Sequence, residues 1–335
     1  MTDTRFDVVA IGNAIVDVLA HTEDAFLARH DLPKGGMTLI DSGQADNLYR
    51  LMGSAIECSG GSAANTAAGI AALGGRAAYV GKVADDELGR VFRHDIGAIG
   101  VHYGTQPLRD GRSTARCLVL VSPDAQRTMN TYLGACVELH PDDIDPDLIR
   151  SAAVTYLEGY QWDAPNAKQA ILKAARVAEE AGRKVALSLS DSFCVDRHRE
   201  EFRNLVHHHI DILFANEDEI RSLYQVSTFG EAVAAVHGHC ATVALTRGAH
   251  GSSVIHEGRV LNVAAEPVDH VVDTTGAGDL YAAGFLHGYT TGRDVETCAR
   301  LGGIAAAEII GHFGARPETS LSALVKATLA RDPGA

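Results

Sequence analysis

The sequence predicts an α/β fold: a three-layer α/β/α core about a mostly parallel central sheet, with a small β-sheet lid. Three observations carry this expectation. From residue 141 onward, short apolar runs alternate with longer helical ones, the rhythm of βα units. Between 101 and 133, hairpin signals interrupt that rhythm. The 34 glycines among 335 residues, with 6% aromatics, suit a chain full of tight strand–helix turns. Residues 1–335 read as one domain, its discontinuous lid drawn from about 14–41 and 101–133.

In chain order, FDVVAIG at 6–12 is a short apolar run ending in glycine, the pattern of a central first strand. If the chain stays extended beyond it, Asn13 and Asp17 share a face, because side chains at i and i+4 of a strand point the same way. Residues 35–41 give a turn and a short strand, and 42–52 a short helix. An alanine-rich helix follows at 62–73, then a strand at 79–83 and a helix at 85–97. Residues 101–109 and 114–121 read as strands joined at Asp110-Gly111, followed by a turn at 122–125 and a strand at 127–132. This small sheet is expected to pair with residues near 14–20 and 36–41. Strands at 154–159, 184–190, 210–215 and 241–246 then alternate with helices at 166–181, at 196–207 and from Asn216. A hairpin turns at Glu257-Gly258, and a long alanine-rich helix covers 295–311.

A formal net charge of −14 disfavours nucleic acid and anionic membrane as partners, since both select basic surfaces. No apolar run has the length of a membrane span, and 1–7 is polar and acidic. The six cysteines lack CxxC spacing, which fits a reducing cytoplasm better than disulfides or zinc. His207-His208-His209 point in different directions from a helix end and read as solvated.

The most informative stretch is VVDTTGAGDLYAAGFLHGYTTG at 271–292. Two valines end a strand, and a helix begins near Gly278. The N–H groups of Gly276, Ala277 and Gly278 fall where a helix leaves its donors unpaired, so they offer a site for an anion. Asp279 beside such a hole makes chemical sense as a base that takes a proton from an attacking hydroxyl. Alternatively it is only an acidic residue in a helix first turn. The stretch is neither a P-loop nor GxGxxG. A second glycine pair, Gly60-Gly61, precedes the alanine-rich helix and lets a ligand approach the backbone, with Asn65 one turn in. Asn216 and Glu219 fit a capping box as well as a phosphate–magnesium site. Arg127 opens a strand, where it is either a solvated edge residue or a lid group that reaches a phosphate. Arg247–Gly251 is a glycine turn where a nucleotide could lie flat.

Taken together, GGSAANTAAGIAALGG at 60–75, NEDE at 216–219, TRGAHG at 246–251 and DTTGAGDLYAAGFL at 273–286 resemble, in that order, the motifs of the ribokinase-like (PfkB) family of sugar and nucleoside kinases. Within it, NAIVDV at 13–18, YLGAC at 132–136 and LSLSDSFCVDRHR at 187–199 are most similar to bacterial adenosine kinases. The resemblance implies a ribokinase-like fold and phosphoryl transfer from ATP to a primary hydroxyl, adenosine being the expected acceptor. It implies Asp279 as base, Gly276, Ala277 and Gly278 as anion hole, and Arg127 as a lid arginine. Asn13, Asp17, Gly60, Gly61 and Asn65 would hold substrate hydroxyls. Thr246, Gly248 and Gly251 would line the nucleotide. Asn216 and Glu219 would organise Mg2+ through water, while Asp273 and Thr275 would help hold a monovalent cation, K+ being usual. The protein is expected to be a monomer or homodimer.

Other readings stay open: a sugar kinase of the same fold acting on fructose, ribose or a keto-deoxy sugar acid, and a non-catalytic nucleotide sensor. A purine base calls for apolar surface near the lid, which Met37, Tyr132, Leu133 and Tyr160 could supply. A sugar acid calls for an extra cleft arginine, and the sequence does not place one.

Overall fold

In the computed structural model, residues 4–124 and 126–331 are described. Among them fourteen strands form two sheets. They are β1 (Phe6–Ile11), β2 (Ile15–His21), β3 (Met37–Leu39), β4 (Ile56–Gly60), β5 (Ala77–Val80), β6 (His102–Tyr103) and β7 (Ala115–Val121), then β8 (Arg127–Tyr132), β9 (Ala152–Glu158), β10 (Lys184–Ser188), β11 (Ile212–Asn216), β12 (Thr242–Thr246), β13 (Ser252–His256) and β14 (Arg259–Val263). The larger sheet runs β14-β13-β12-β11-β10-β9-β1-β5-β6. It is parallel from β12 to β6, and only β13 and β14 are antiparallel.

Both faces of this sheet are covered, so its central strands are apolar throughout. Val8 and Ala10 of β1 pack on one side with the helices Ser62–Ala72, Ala277–Thr290 and Val295–Ile309. Val9 and Ile11 pack on the other with the helix Pro165–Glu180. This is the expected three-layer α/β/α core. The small residues of the 277–290 helix are needed for its close packing: a Cβ on Gly284 would lie 2.4 Å from Leu301 O.

The smaller sheet runs β3-β8-β7-β2-β4. As expected, β2 pairs with β7 and β3 with β8. Its strand β4 was not foreseen; antiparallel to β2, it carries the exposed Ile56 and Glu57 and shows no clean alternation.

The expected strand over 101–109 is corrected. Only His102–Tyr103 is a strand, and it extends the larger sheet beside β5 instead of making a hairpin with β7. The segment is drawn away by the loop after β5, through Leu108 N to Val83 O at 2.8 Å and Asp85 N to Leu108 O at 2.7 Å. The helix expected from 196 starts at Ser192, capped by the Asp191 side chain, and kinks at His198. Ala125, in the expected 122–125 turn, lies outside the described residues. Among the described residues no helix is long and apolar enough to cross a membrane.

Candidate active site

The parallel strands end on one rim. There β1 lies between β9 and β5, so successive crossovers leave it in opposite directions and open a crevice. Onto that rim comes the helix Ala277–Thr290, whose N-cap Gly276 has φ 77°. An L-residue is strained at this φ, and a Cβ there would lie 2.8 Å from Ala315 Cβ. The N–H groups of Gly276 and Gly278 have no hydrogen-bond partner among the described residues. That of Ala277 donates to Thr274 O at 3.3 Å, so the anion hole expected from three N–H groups offers two free ones.

Asp279 follows directly. Its Oδ1 accepts from Ser62 Oγ at 2.6 Å and its Oδ2 from Asn65 Nδ2 at 2.9 Å. Burial raises its pKa, while the bonds from Ser62 and Asn65 and the charges of Arg316 and Arg127 oppose the rise. The sequence around Arg316 gives no sign of a cleft role, because the residue follows an ordinary glycine loop. The structure inserts it between Asn65 Oδ1, to which Nη1 donates, and Ser59.

Asp17 reaches the same place from the smaller sheet. Register sets Cys58 and Cys117 beside it, and β7–β8 pairing adds Val119, Met129, Thr131 and Arg127 to the same face. Burial pushes the Asp17 carboxyl up to about 7, with Asp279 and Asp273 adding to the rise and Arg316 opposing it. Gly60 is required here because a Cβ would fall 2.0 Å from Asp17 Oδ2. Gly61, at φ 93°, presses on Asn13 O in the same way. Of the apolar candidates, Leu133 packs with this face and Met37, in register with Met129, shares it while 39% exposed, whereas Tyr132 alternates to the opposite one.

Asn13 is engaged elsewhere. Its Nδ2 donates to Glu158 Oε1 at 3.1 Å and its Oδ1 accepts from Gln161 Nε2 at 3.0 Å. Glu158, 1% exposed, also accepts from Ala63 N at 2.9 Å, so it ties β1, β9 and the 62–72 helix together. Burial pushes its pKa to about 8 against those bonds.

Asp273 is fully buried and braces the hole. Oδ1 accepts from Thr275 N at 2.9 Å and Thr275 Oγ1 at 2.6 Å, and Oδ2 from Gly314 N at 3.0 Å. Arg127 donates to Thr275 Oγ1 at 3.2 Å and lies 3.7 Å from Asp273.

Across the rim, Asn216 and Glu219 form a reciprocal cap, with Glu219 N to Asn216 Oδ1 at 2.8 Å and Asn216 N to Glu219 Oε2 at 2.9 Å. Burial raises Glu219 to about 7, and Asp191, Asp218 and Asp279 add to the rise. Thr246 pairs in register with Asn216, and Gly248 (φ 55°) starts the turn after it. Gly251 serves the backbone: a Cβ would meet Val263 O at 2.0 Å.

The pattern of the pfkB family carbohydrate kinases matches residues 48–321. The chain belongs to this family. A crystal structure of adenosine kinase from Sinorhizobium meliloti is 52% identical, with TM-score 0.92 over 97% of this chain and 99% of that one. A probable sugar kinase from Rhizobium etli CFN 42 is 51% identical, with TM-score 0.93 over the same shares. Adenosine kinase of Saccharomyces cerevisiae is 27% identical over 91% of this chain and 95% of its own.

As a pfkB kinase, the protein transfers phosphoryl groups from ATP, with a divalent metal, to an alcohol on a small molecule. The geometry suits that chemistry, with donors and cations for phosphoryl oxygens beside one carboxylate. The carboxyl of the buried Glu219, beside the amide oxygen of Asn216, is a hard oxygen donor of the kind a divalent cation takes. Among the described residues no cluster of three His, Cys, Asp or Glu could hold one alone, so bound phosphates and water would complete its shell. Ser62 and Glu158 also went unrecognised from sequence. Serine after Gly-Gly reads only as a helix start, and a glutamate ending an apolar strand gives no sign of burial.

Proposed function

We propose that this pfkB kinase phosphorylates the primary hydroxyl of adenosine, with Asp279 as base. The observation that carries the reading is the Asp279 carboxylate, held by Ser62 and Asn65, next to the free N–H groups of Gly276 and Gly278 and beneath an apolar face of the smaller sheet. The acceptor oxygen attacks the γ-phosphorus and its proton passes to Asp279. The bond to the β,γ-bridging oxygen breaks, leaving ADP and AMP. The two N–H groups and Arg127 face the charge that develops on the equatorial oxygens.

The smaller sheet acts as the lid. Leu19, Cys58, Cys117, Val119 and Met129 offer a purine apolar contact, while Asp17 accepts from ribose hydroxyls. A cleft arginine is present after all, which bears on the sugar-acid alternative. Both Nη atoms of Arg316 donate to protein acceptors at Asn65 and Ser59, and only a buried Nε is left without a partner, so it cannot offer a fork to a substrate carboxylate. The neighbouring S. meliloti enzyme supports the adenosine reading. A neutral sugar is the second reading, because Asp17 would serve its hydroxyls equally well.

Asn216 and Glu219 would order Mg2+ and the phosphates. Asp273, a buried carboxylate between the 273–276 and 310–316 loops, has the hard oxygen donors that K+ takes. Thr246 and Gly248 would line the nucleotide. Six free cysteines fit a reducing cytoplasm. The test is ATP-dependent phosphorylation of adenosine, inosine, guanosine, cytidine, fructose, ribose and keto-deoxygluconate. Preference for adenosine supports the reading, and preference for a sugar or sugar acid overturns it.

A further inference from the structure

The hydrogen-bond chain that reaches Asp279 begins at Arg316. Nη1 donates to Asn65 Oδ1, and Nη2 donates to Ser59 O and, at 2.9 Å, to Ser59 Oγ. Ser59 N is in turn held by Asp95 Oδ2 at 2.8 Å. The loop carrying Arg316 is fixed on both sides. Gly314 N donates to Asp273 Oδ2 at 3.0 Å, and Glu308 Oε1 accepts from Glu318 N at 3.1 Å and Thr319 N at 3.0 Å.

A guanidinium has donors and no acceptor, so only the oxygen end of the Asn65 amide can face it. The nitrogen end must then face Asp279. We infer that Arg316 is a positioning residue for phosphoryl transfer: it fixes the Asn65 amide so that Nδ2 donates to Asp279 and holds the carboxylate in one orientation toward the acceptor hydroxyl. This rests on Asp279 acting as the base.

Without Arg316 the amide is free to turn. Its oxygen would then oppose a carboxylate oxygen, and Asp279 would keep only the bond from Ser62. The charge of Arg316 also counts. The charges that act on Asp279 are positive from Arg316 and Arg127, with the carboxyl groups of Asp17, Glu158 and Glu219 on the negative side and the neutral phenols of Tyr156 and Tyr160 beside them. Arg316 and Arg127 lower the pKa that burial raises, so losing Arg316 moves Asp279 further up.

The experiment compares Arg316→Gln in the native chain and in Asn65→Ala, following kcat, both KM values and the pH dependence of kcat/KM. Expected in the native chain are a loss in kcat of about tenfold or more, for a lost charge-assisted bond, and an acid limb displaced to higher pH. In Asn65→Ala the same substitution should change kcat less than about twofold, because the amide it orients is gone. Equal losses in both backgrounds, or an unmoved acid limb, would overturn the proposal. If Arg316→Gln does not fold, Arg316→Lys carries the comparison, since it keeps the charge and loses the fork. It should leave the acid limb near native and lower kcat only where the Asn65 amide is present, and an equal loss in Asn65→Ala would count against positioning. Asp279→Asn is run alongside. Retained activity there sinks the base assignment separately, while the coupling between Arg316 and Asn65 is still read from kcat.

Discussion

Ser62 Oγ donates to Asp279 Oδ1 at 2.6 Å, joining the first turns of two helices that each start at a glycine with positive φ, Gly61 at 93° and Gly276 at 77°. Two helix N-termini thus converge on one carboxylate, and their dipoles favour its charged form. Ser62→Ala removes one of its two side-chain donors. We predict a fall in kcat of roughly tenfold with an acid limb at higher pH, measured by initial rates from pH 5 to 9. Unchanged kcat and an unchanged limb would contradict the role given to Ser62.

Gly60→Ala places a Cβ 2.0 Å from Asp17 Oδ2, so the carboxylate must move. Because Asp17 is assigned to the acceptor and not to ATP, the nucleoside KM should rise about tenfold or more, the value of a lost bond to a charged group. The ATP KM should stay within about twofold. Equal effects on both would point to a general disturbance of the rim.

Glu158 gives a pH signature in stability. Its folded pKa of about 8 lies above the ordinary glutamate value of 4.5, so the folded state keeps a proton that the unfolded chain loses. Its stabilising contribution is full below 4.5, shrinks as pH rises toward 8 and is flat above. The melting-temperature advantage of the native chain over Glu158→Gln should therefore be largest near pH 5 and smallest above pH 8. A gap that widens with pH would show that the N–H donors of Asn13 and Ala63 outweigh burial and keep Glu158 ionised.

Potassium should be visible without turnover. The buried Asp273 joins the 273–276 and 310–316 loops, and a cation bound there stabilises the fold by mass action. At equal ionic strength, KCl should raise the melting temperature above that in NaCl or choline chloride. Identical melting in all three salts would remove the cation site.

Much of this was legible in the sequence, for physical reasons. The glycine turns and apolar strands fixed the parallel core, since backbone geometry leaves few other uses for such residues. DTTGAGD marked Asp279, and the structure brings Asn65, Asp17 and Arg127 near it. What was illegible depends on contacts distant in the chain. Arg316 reaches Asn65 across 251 residues, and nothing near Arg316 announces it. Asn13 looked like a substrate ligand because it follows β1, but Glu158 and Gln161 occupy its amide. The strand expected at 101–109 had hairpin chemistry locally, and the hydrogen bonds between Leu108 and the loop after β5 overrode it.

The most direct test of the account is the rate of AMP formation from adenosine and ATP by Asp279→Asn, measured beside its affinity for both ligands. Asparagine keeps the shape and cannot take the proton. The account predicts a loss in kcat of roughly 10²–10⁴-fold with both affinities close to native. A rate within a few-fold of native would contradict the assignment of Asp279 as the base.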